Sequence, residues 1–154
     1  MKQLFLMRHA ASTHGSPDIN RPLNYEGRKE IESLASRGIG LFDHVTHVLC
    51  SSSNRTRQTF LGLMNILPIN ATCNFIDNLY HASAERVLDE ILLLPDSAQD
   101  VLIIAHNPGV SEFLGMSAIP LSMSLRTAQV CVFEVSQPTW SKVVFKDFTL
   151  KMVV

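Results

Sequence analysis

Four consecutive apolar residues, Leu4-Phe5-Leu6-Met7, end abruptly in a cation and an imidazole, Arg8-His9. A short apolar run without alternation reads as a strand buried on both faces, the habit of strands in parallel sheets. Val101–Ala105 repeats the pattern, with five apolar residues bounded by Asp100 and His106. Ligands in open α/β sheets bind beyond the carboxyl ends of the strands, so Arg8 and His9 stand where such a protein carries its chemistry. Taken alone, an Arg-His pair is equally a solvated strand end. What other strand ends deliver decides its meaning.

Strand and helix signals alternate along most of the chain. Lys2–Met7 is the first expected strand, and residues 8–23 form a polar loop punctuated by Gly15, Pro17 and Pro22. Asn24 caps a helix through about Ser36 with Ile31, Leu34 and Ala35 as its stripe, and Gly38 ends it. Val45–Cys50 is a second strand. Ser53 or Asn54 then caps a helix to about Leu67, on which Phe60, Leu61, Met64 and Leu67 share a face, and Pro68 stops it. Ala71–Ile76 is a weaker strand, and Ser83 caps a helix carrying Val87, Leu88, Ile91 and Leu92. After the Val101–Ala105 strand, Asn107-Pro108 reads as an N-cap followed by proline at the first helical position. The tail alternates at Val130, Val132 and Val135 and again over Val143–Phe148, with Gln137-Pro138 between, which predicts an antiparallel hairpin. The expected fold is α/β, a three-layer α/β/α sandwich with a mostly parallel sheet and a C-terminal antiparallel hairpin, in one domain over residues 1–154.

Composition narrows the function. The chain is 46% hydrophobic and 18% charged with a formal net charge of −1, so it is globular and carries no bulk charge that would favour nucleic acid or a membrane surface. No apolar run reaches spanning length. Cys50, Cys73 and Cys131 are scattered and odd in number, Cys50 and Cys131 read as small core residues, and a reducing cytoplasm is the expected compartment. Neither GxGxxG nor GxxxxGK(S/T) occurs, and no spacing suits structural zinc, so no cofactor and no metal are expected. His44 and His47 read as loop and strand-edge residues, His14 and His81 as exposed or rim residues, and Arg28 and Arg57 as helix-surface charges.

Three strand ends place charged or imidazole groups on one edge of a parallel sheet: Arg8-His9, Ser51–Thr59 with Arg55 in the first turn of a helix, and His106-Asn107-Pro108. Each has a plain alternative; His106 could simply bond a neighbouring carbonyl. Arg55 near a helix start runs against the macrodipole, which disfavours a purely structural role. Together, guanidinium forks, imidazoles and helix N-termini make an anion site suited to phosphate.

These segments resemble the histidine phosphatase (phosphoglycerate-mutase-like) superfamily in the strand-Arg-His opening, the Ser-x-x-x-Arg-x-x-Gln-Thr segment and the late strand-His-Asn-Pro. Asp18-x-x-Arg21-Pro22-Leu23-x-x-x-Gly27 and Leu79-Tyr80-x-Ala82-Ser83-Ala84-Glu85 are similar to the short SixA-type phosphohistidine phosphatases. The resemblance covers nearly the whole chain. It implies a compact fold without an inserted helical subdomain, His9 as the nucleophile that becomes phosphorylated, Arg8, Arg55 and His106 holding the phosphoryl group, and Arg21 at the rim. The residue after Arg-His is Ala10, where the family most often has Gly. Larger relatives carry a general-acid carboxylate in the segment matching Ile76–Ala84; here Asp77 is the only carboxylate there, and a SixA-type chain is expected to lack the acid.

Neutral histidine is well populated near neutral pH and can attack phosphorus through one nitrogen while the other donates to a fixing acceptor. Arg8, Arg55 and a protonated His106 would offset the charge of the transferring group. The expected function is a metal-independent phosphatase acting through phosphohistidine, on phosphohistidine in a protein such as a histidine-phosphotransfer domain. The same residues would serve a small phosphorylated metabolite. A non-catalytic phosphoprotein-binding module would need the arginines but not an unprotonated nucleophile, and a sugar-phosphate mutase would need more chain for a lid.

Overall fold

The two all-apolar runs take the middle of the sheet. The computed structural model describes residues 1–154. It contains β1 (Lys2–Arg8), α1 (Tyr25–Arg37), β2 (Val45–Ser51), α2 (Asn54–Leu63), β3 (Thr72–Ile76), α3 (Ala84–Leu92), β4 (Asp100–Ala105), α4 (Gly109–Met116), β5 (Val130–Val135) and β6 (Phe148–Val153). The strand order is β3-β2-β4-β1-β5-β6. β3, β2, β4 and β1 pair in parallel, while β5 is antiparallel to β1 and β6 to β5. The fold is therefore the expected α/β class with an antiparallel C-terminal pair. No helix is long and apolar enough to cross a membrane.

Strand alternation splits the core into two layers. Phe5, Met7, Leu102 and Ile104 pack with Ile31 of α1 and Leu63 of α2. Leu4, Leu6, Val101 and Ile103 pack with Val87 and Ile91 of α3 and Phe113 of α4. Because successive strand residues face opposite sides, a strand apolar at every position can be covered only by helices on both faces. Register then fixes the functional edge: Arg8 lies opposite Ala105, and Cys50 opposite Ile104. Arg8, Ala105 and Ser51 therefore stand at one level, and His9 and His106 leave the sheet one residue beyond it.

Several expectations are corrected. α2 ends at Leu63, not Leu67, and its buried residues are Arg55, Thr56, Thr59 and Leu63, leaving Leu61 and Met64 exposed. Polar anchors decide its rotation: Thr56 Oγ1 donates to the Ser51 carbonyl at 2.6 Å, and Thr59 Oγ1 accepts the Ala10 amide at 3.1 Å. The second hairpin strand is Phe148–Val153, later than expected, because residues 140–147 form two 3-10 turns that bury Trp140 and Val143 without strand pairing. Asn107 does not cap α4. Pro108 is the N-cap residue, and the Asn107 amide instead donates to Leu125 O at 2.9 Å and accepts from the Ser111 hydroxyl at 2.6 Å. β2 lies inside the sheet, so His47 is not on an edge strand.

Candidate active site

The nucleophile candidate is placed by backbone pairing. The His9 amide donates to Ala105 O at 3.1 Å, continuing the β1–β4 ladder one residue past the strand. The residue is 7% exposed. Nδ1 lies 2.7 Å from the Ala10 carbonyl, which can only accept, so Nδ1 carries the proton and Nε2 keeps its lone pair. Nε2 accepts from Arg55 Nε at 3.3 Å. Burial, reinforced by the Arg55, Arg8 and Arg21 charges and opposed by the Ala10 bond, lowers the His9 pKa to about 4, so the ring is neutral at physiological pH. Ala10 serves here without a glycine's freedom; the positive-φ residues lie elsewhere in the chain. The close approach instead falls at Gly27, where a Cβ would run into the Ala11 carbonyl.

His106 mirrors His9 across the floor, with ring centroids 5.3 Å apart. Its Nδ1 meets Arg55 Nη2 at 3.3 Å, and a guanidinium only donates, so Nδ1 bears a lone pair. Nε2–H then donates to Ser51 Oγ at 2.7 Å. Burial, with the His9, Arg55 and His81 sites adding to it, pushes the His106 pKa down to about 2. This corrects the expectation of a protonated His106: burial keeps the ring neutral.

Arg55 joins the two rings. It is 2% exposed, in the first turn of α2, where Ser53 caps the Thr56 amide. Its inner edge donates to both imidazoles. Its outer edge donates from Nη1 to Asp18 O at 3.0 Å and from Nη2 to Asp18 Oδ2 at 3.2 Å. Arg8 donates from Nη1 to Leu125 O at 2.9 Å, while its buried Nε has no partner. Arg21 stands further out, bonding Thr13 O and pairing with Asp18 Oδ1 at 2.9 Å.

Sequence reasoning overlooked Asp18, although it lies three residues before Arg21 in a segment it singled out. The Asp18 carboxylate forms an ion pair with Arg21 and accepts from Arg55, the Tyr80 hydroxyl and His81 Nε2, the last at 2.9 Å. The Tyr80 and His81 bonds, helped by Arg55 and Arg21 and opposed by burial, hold it well below the usual carboxylate range. Supporting residues also escaped notice. Ser51 and Thr59 orient the floor, and Glu30 binds the Ala11 amide and the Thr127 hydroxyl. Asp77 is exposed and stays outside the cleft. Arg57 stacks 4.0 Å from the Phe75 ring, and Arg28 donates to Leu23 O, both away from the site.

The cleft measures about 300 Å³, and its wall includes Arg8, His9, Arg21, Arg55, His81 and His106. A larger hollow of about 610 Å³ lies between α4 and residues 120–124, but Glu112 is its sole charged side chain, so the chemistry selects the smaller one. Arginine donors converging on an unprotonated imidazole can bind a tetrahedral oxyanion and present a nucleophile to it.

No family model matches the chain. An uncharacterised protein of Mycobacterium tuberculosis is 32% identical over 107 residues, and another of Mycobacterium leprae is 32% identical over 112. These alignments span 68% of the chain and 65% and 66% of the relatives, so the match covers just under two thirds of their length. Among solved structures, a candidate phosphohistidine phosphatase SixA from Nakamurella multipartitia superposes with a TM-score of 0.82 at 26% identity, covering 99% of this chain and 95% of that one. The protein histidine phosphatase SixA complexed with tungstate gives 0.81 at 21%, covering 98% and 95%. A candidate alpha-ribazole-5'-P phosphatase from Escherichia coli gives 0.70 at 14%, covering 99% and 96%, a likeness of fold. With strand-end arginines and imidazoles on this sheet, the chain shares its fold with SixA phosphohistidine phosphatases and an alpha-ribazole phosphatase, members of the histidine phosphatase superfamily, and is similar to the SixA-type structures over nearly its whole length.

Proposed function

We propose that this chain is one histidine-phosphatase-like domain that hydrolyses phosphoryl groups through a phosphohistidine at His9, and that its substrate is phosphohistidine carried by a protein. The observation that carries the reading is the fixed tautomer of His9: Nδ1–H on the Ala10 carbonyl, with the Nε2 lone pair turned to the cleft arginine. A binding module has no need of that lone pair. An arriving oxyanion competes for the inner N–H groups of Arg55, freeing Nε2 to attack phosphorus. Arg8, whose Nε lacks a partner, and Arg55 stabilise the equatorial oxygens, and Arg21 meets the anion at the rim. The incoming negative charge offsets the burial that keeps His106 neutral, so Nδ1 can take up a proton and join the donors. Water then hydrolyses the phosphohistidine. The arginines supply the neutralising charge, so the reaction runs without a metal or other cofactor.

A cleft of about 300 Å³ suits a phosphorylated side chain displayed by a protein. That a SixA relative takes tungstate, a tetrahedral oxyanion, fits a phosphoryl site. Free thiols at Cys50, Cys73 and Cys131 fit a cytoplasmic setting. The fold shared with an alpha-ribazole-5'-P phosphatase favours a second reading, a phosphatase for a small metabolite. One panel separates them: kcat/KM for a phosphohistidine protein, free phosphohistidine and common sugar phosphates, each with and without EDTA. The phosphohistidine protein is expected to be the best substrate, unaffected by chelator. Equal turnover of a sugar phosphate replaces this reading with the second.

A further inference from the structure

The mouth of the cleft holds one imidazole in a conformation that an idle surface histidine does not require. His81 has a φ of 51°, a region that non-glycine residues rarely adopt, and it is the only cleft-lining residue that does so. Its ring lies nearly parallel to His106, with centroids 5.5 Å apart and planes 13° from parallel, and edge-on to Tyr80 at 4.2 Å. Its Nε2 is 2.9 Å from Asp18 Oδ2. The Asp18 carboxylate is ionised and can only accept, so Nε2 carries a proton and Nδ1 is left outside that bond. The charged and titratable groups around His81 are Asp18 and Arg21 from the entry loop, Tyr80 beside it, His106 after β4, Arg55 from α2, Arg8 and His9 after β1, and His14 across the mouth.

We propose that His81, held by Asp18, is the proton donor to the leaving group, an inference that rests on the phosphatase reading above. His9 lies on the floor at 7% exposure, while the His81 side chain is 55% exposed at the mouth. In-line displacement sends the leaving atom away from the nucleophile, outward past His81. In the first step Nε2 of His9 bonds to phosphorus as the bond from phosphorus to the leaving oxygen or nitrogen breaks. The electron pair goes to the leaving atom, which takes the proton from His81 Nδ1. In the second step a water oxygen bonds to phosphorus, the P–Nε2 pair returns to His9, and the proton released by the water restores His81. Asp18 acts as a positioning residue that fixes the tautomer and aim of the ring. The acid missing from the Ile76–Ala84 segment as a carboxylate is thus present there as an imidazole.

The test compares phenyl phosphate, whose leaving group needs a proton, with p-nitrophenyl phosphate, whose leaving group departs as a stable anion. For His81→Gln, the ratio of kcat/KM on phenyl phosphate to that on p-nitrophenyl phosphate is expected to drop about a hundredfold, the scale of losing a general acid. For Asp18→Asn the same ratio falls about tenfold, since aim is lost and the acid retained. An unchanged ratio in His81→Gln overturns the proposal while leaving the phosphatase reading intact. A parent protein that turns over neither ester and traps no phosphate on His9 in rapid quench overturns the phosphatase reading itself.

Discussion

The floor and the mouth of the cleft are built on different physics. On the floor, His9, Arg55 and His106 are 7%, 2% and 3% exposed, and burial keeps the two imidazoles neutral, with one assigned partner for every ring nitrogen. At the mouth, a single carboxylate gathers two arginines, a phenol and an imidazole, with Asp18 42% and His81 55% exposed. Solvent screens the charges of the mouth far more than those of the floor. On the proposed mechanism, substitutions on the floor therefore strike bond making, and those at the mouth strike encounter and proton supply.

The largest effect is expected of His9→Ala, which removes the proposed attacking nitrogen. Multiple turnover should vanish with the fold retained, and rapid quench with labelled substrate should trap phosphate on the parent His9 only. Substantial steady-state activity in this variant would break the assignment of chemistry to the floor.

Arg55 is the next test. Arg55→Ala should lose about a hundredfold or more in kcat/KM, the scale of a preorganised electrostatic donor. Arg55→Lys keeps the charge but cannot reach both imidazoles and Asp18 with one planar fork, so it should recover little. A lysine variant within a few-fold of the parent would mean that Arg55 supplies only field. Thermal unfolding of both variants separates catalysis from folding.

Burial of neutral imidazoles also carries a pH signature. His9 binds its proton more weakly folded than unfolded, so between pH 6.5 and about 4 the unfolded chain takes up more protons. Its stabilising contribution is complete above that window and is lost as pH falls through it, on the order of 3 kcal/mol. Unfolding temperature should drop from pH 7 to pH 4.5, and less steeply in His9→Ala. A flat profile in the parent would show the floor to be charged.

The smallest effect should come from Arg21→Ala, with KM up about two- to fivefold, the scale of an exposed ion pair, and kcat within twofold. If Arg21→Ala costs as much as Arg55→Ala, the division between floor and mouth is wrong.

The floor was legible in the sequence and the mouth largely was not. Leu4–Met7 and Val101–Ala105 declare buried strands, and groups that follow such strands must emerge at one sheet edge. Ser53 and Ser83 declare their helices because each hydroxyl accepts the amide three residues on. Asp18, Tyr80 and His81 meet only because two loops more than 60 residues apart close on each other, and no periodicity records that. The protonation of His106 was misjudged for a related reason: its depth of burial is a property of the closed fold. The face of α2 was misread because apolar spacing was weighed above Thr56 and Thr59, whose hydroxyls hold the helix to the Ser51 carbonyl and the Ala10 amide.

The place of β1 in the strand order governs when the protein can first work. β1 is synthesised before every other strand, yet its two neighbours are β4 and β5, and Arg8 is aimed by a carbonyl 117 residues further along the chain. β2 and β3 can pair locally while β1 waits without a partner, and β4 must enter between β2 and β1 before His9 and His106 face each other. Contacts of such long sequence separation close slowly, and an unpaired apolar strand invites association with other chains in the interval. On the ribosome, then, the segment bearing His9 emerges ahead of the strands that flank it and is among the last to be enclosed, so the facing of His9 and His106 arrives in one late step rather than by degrees.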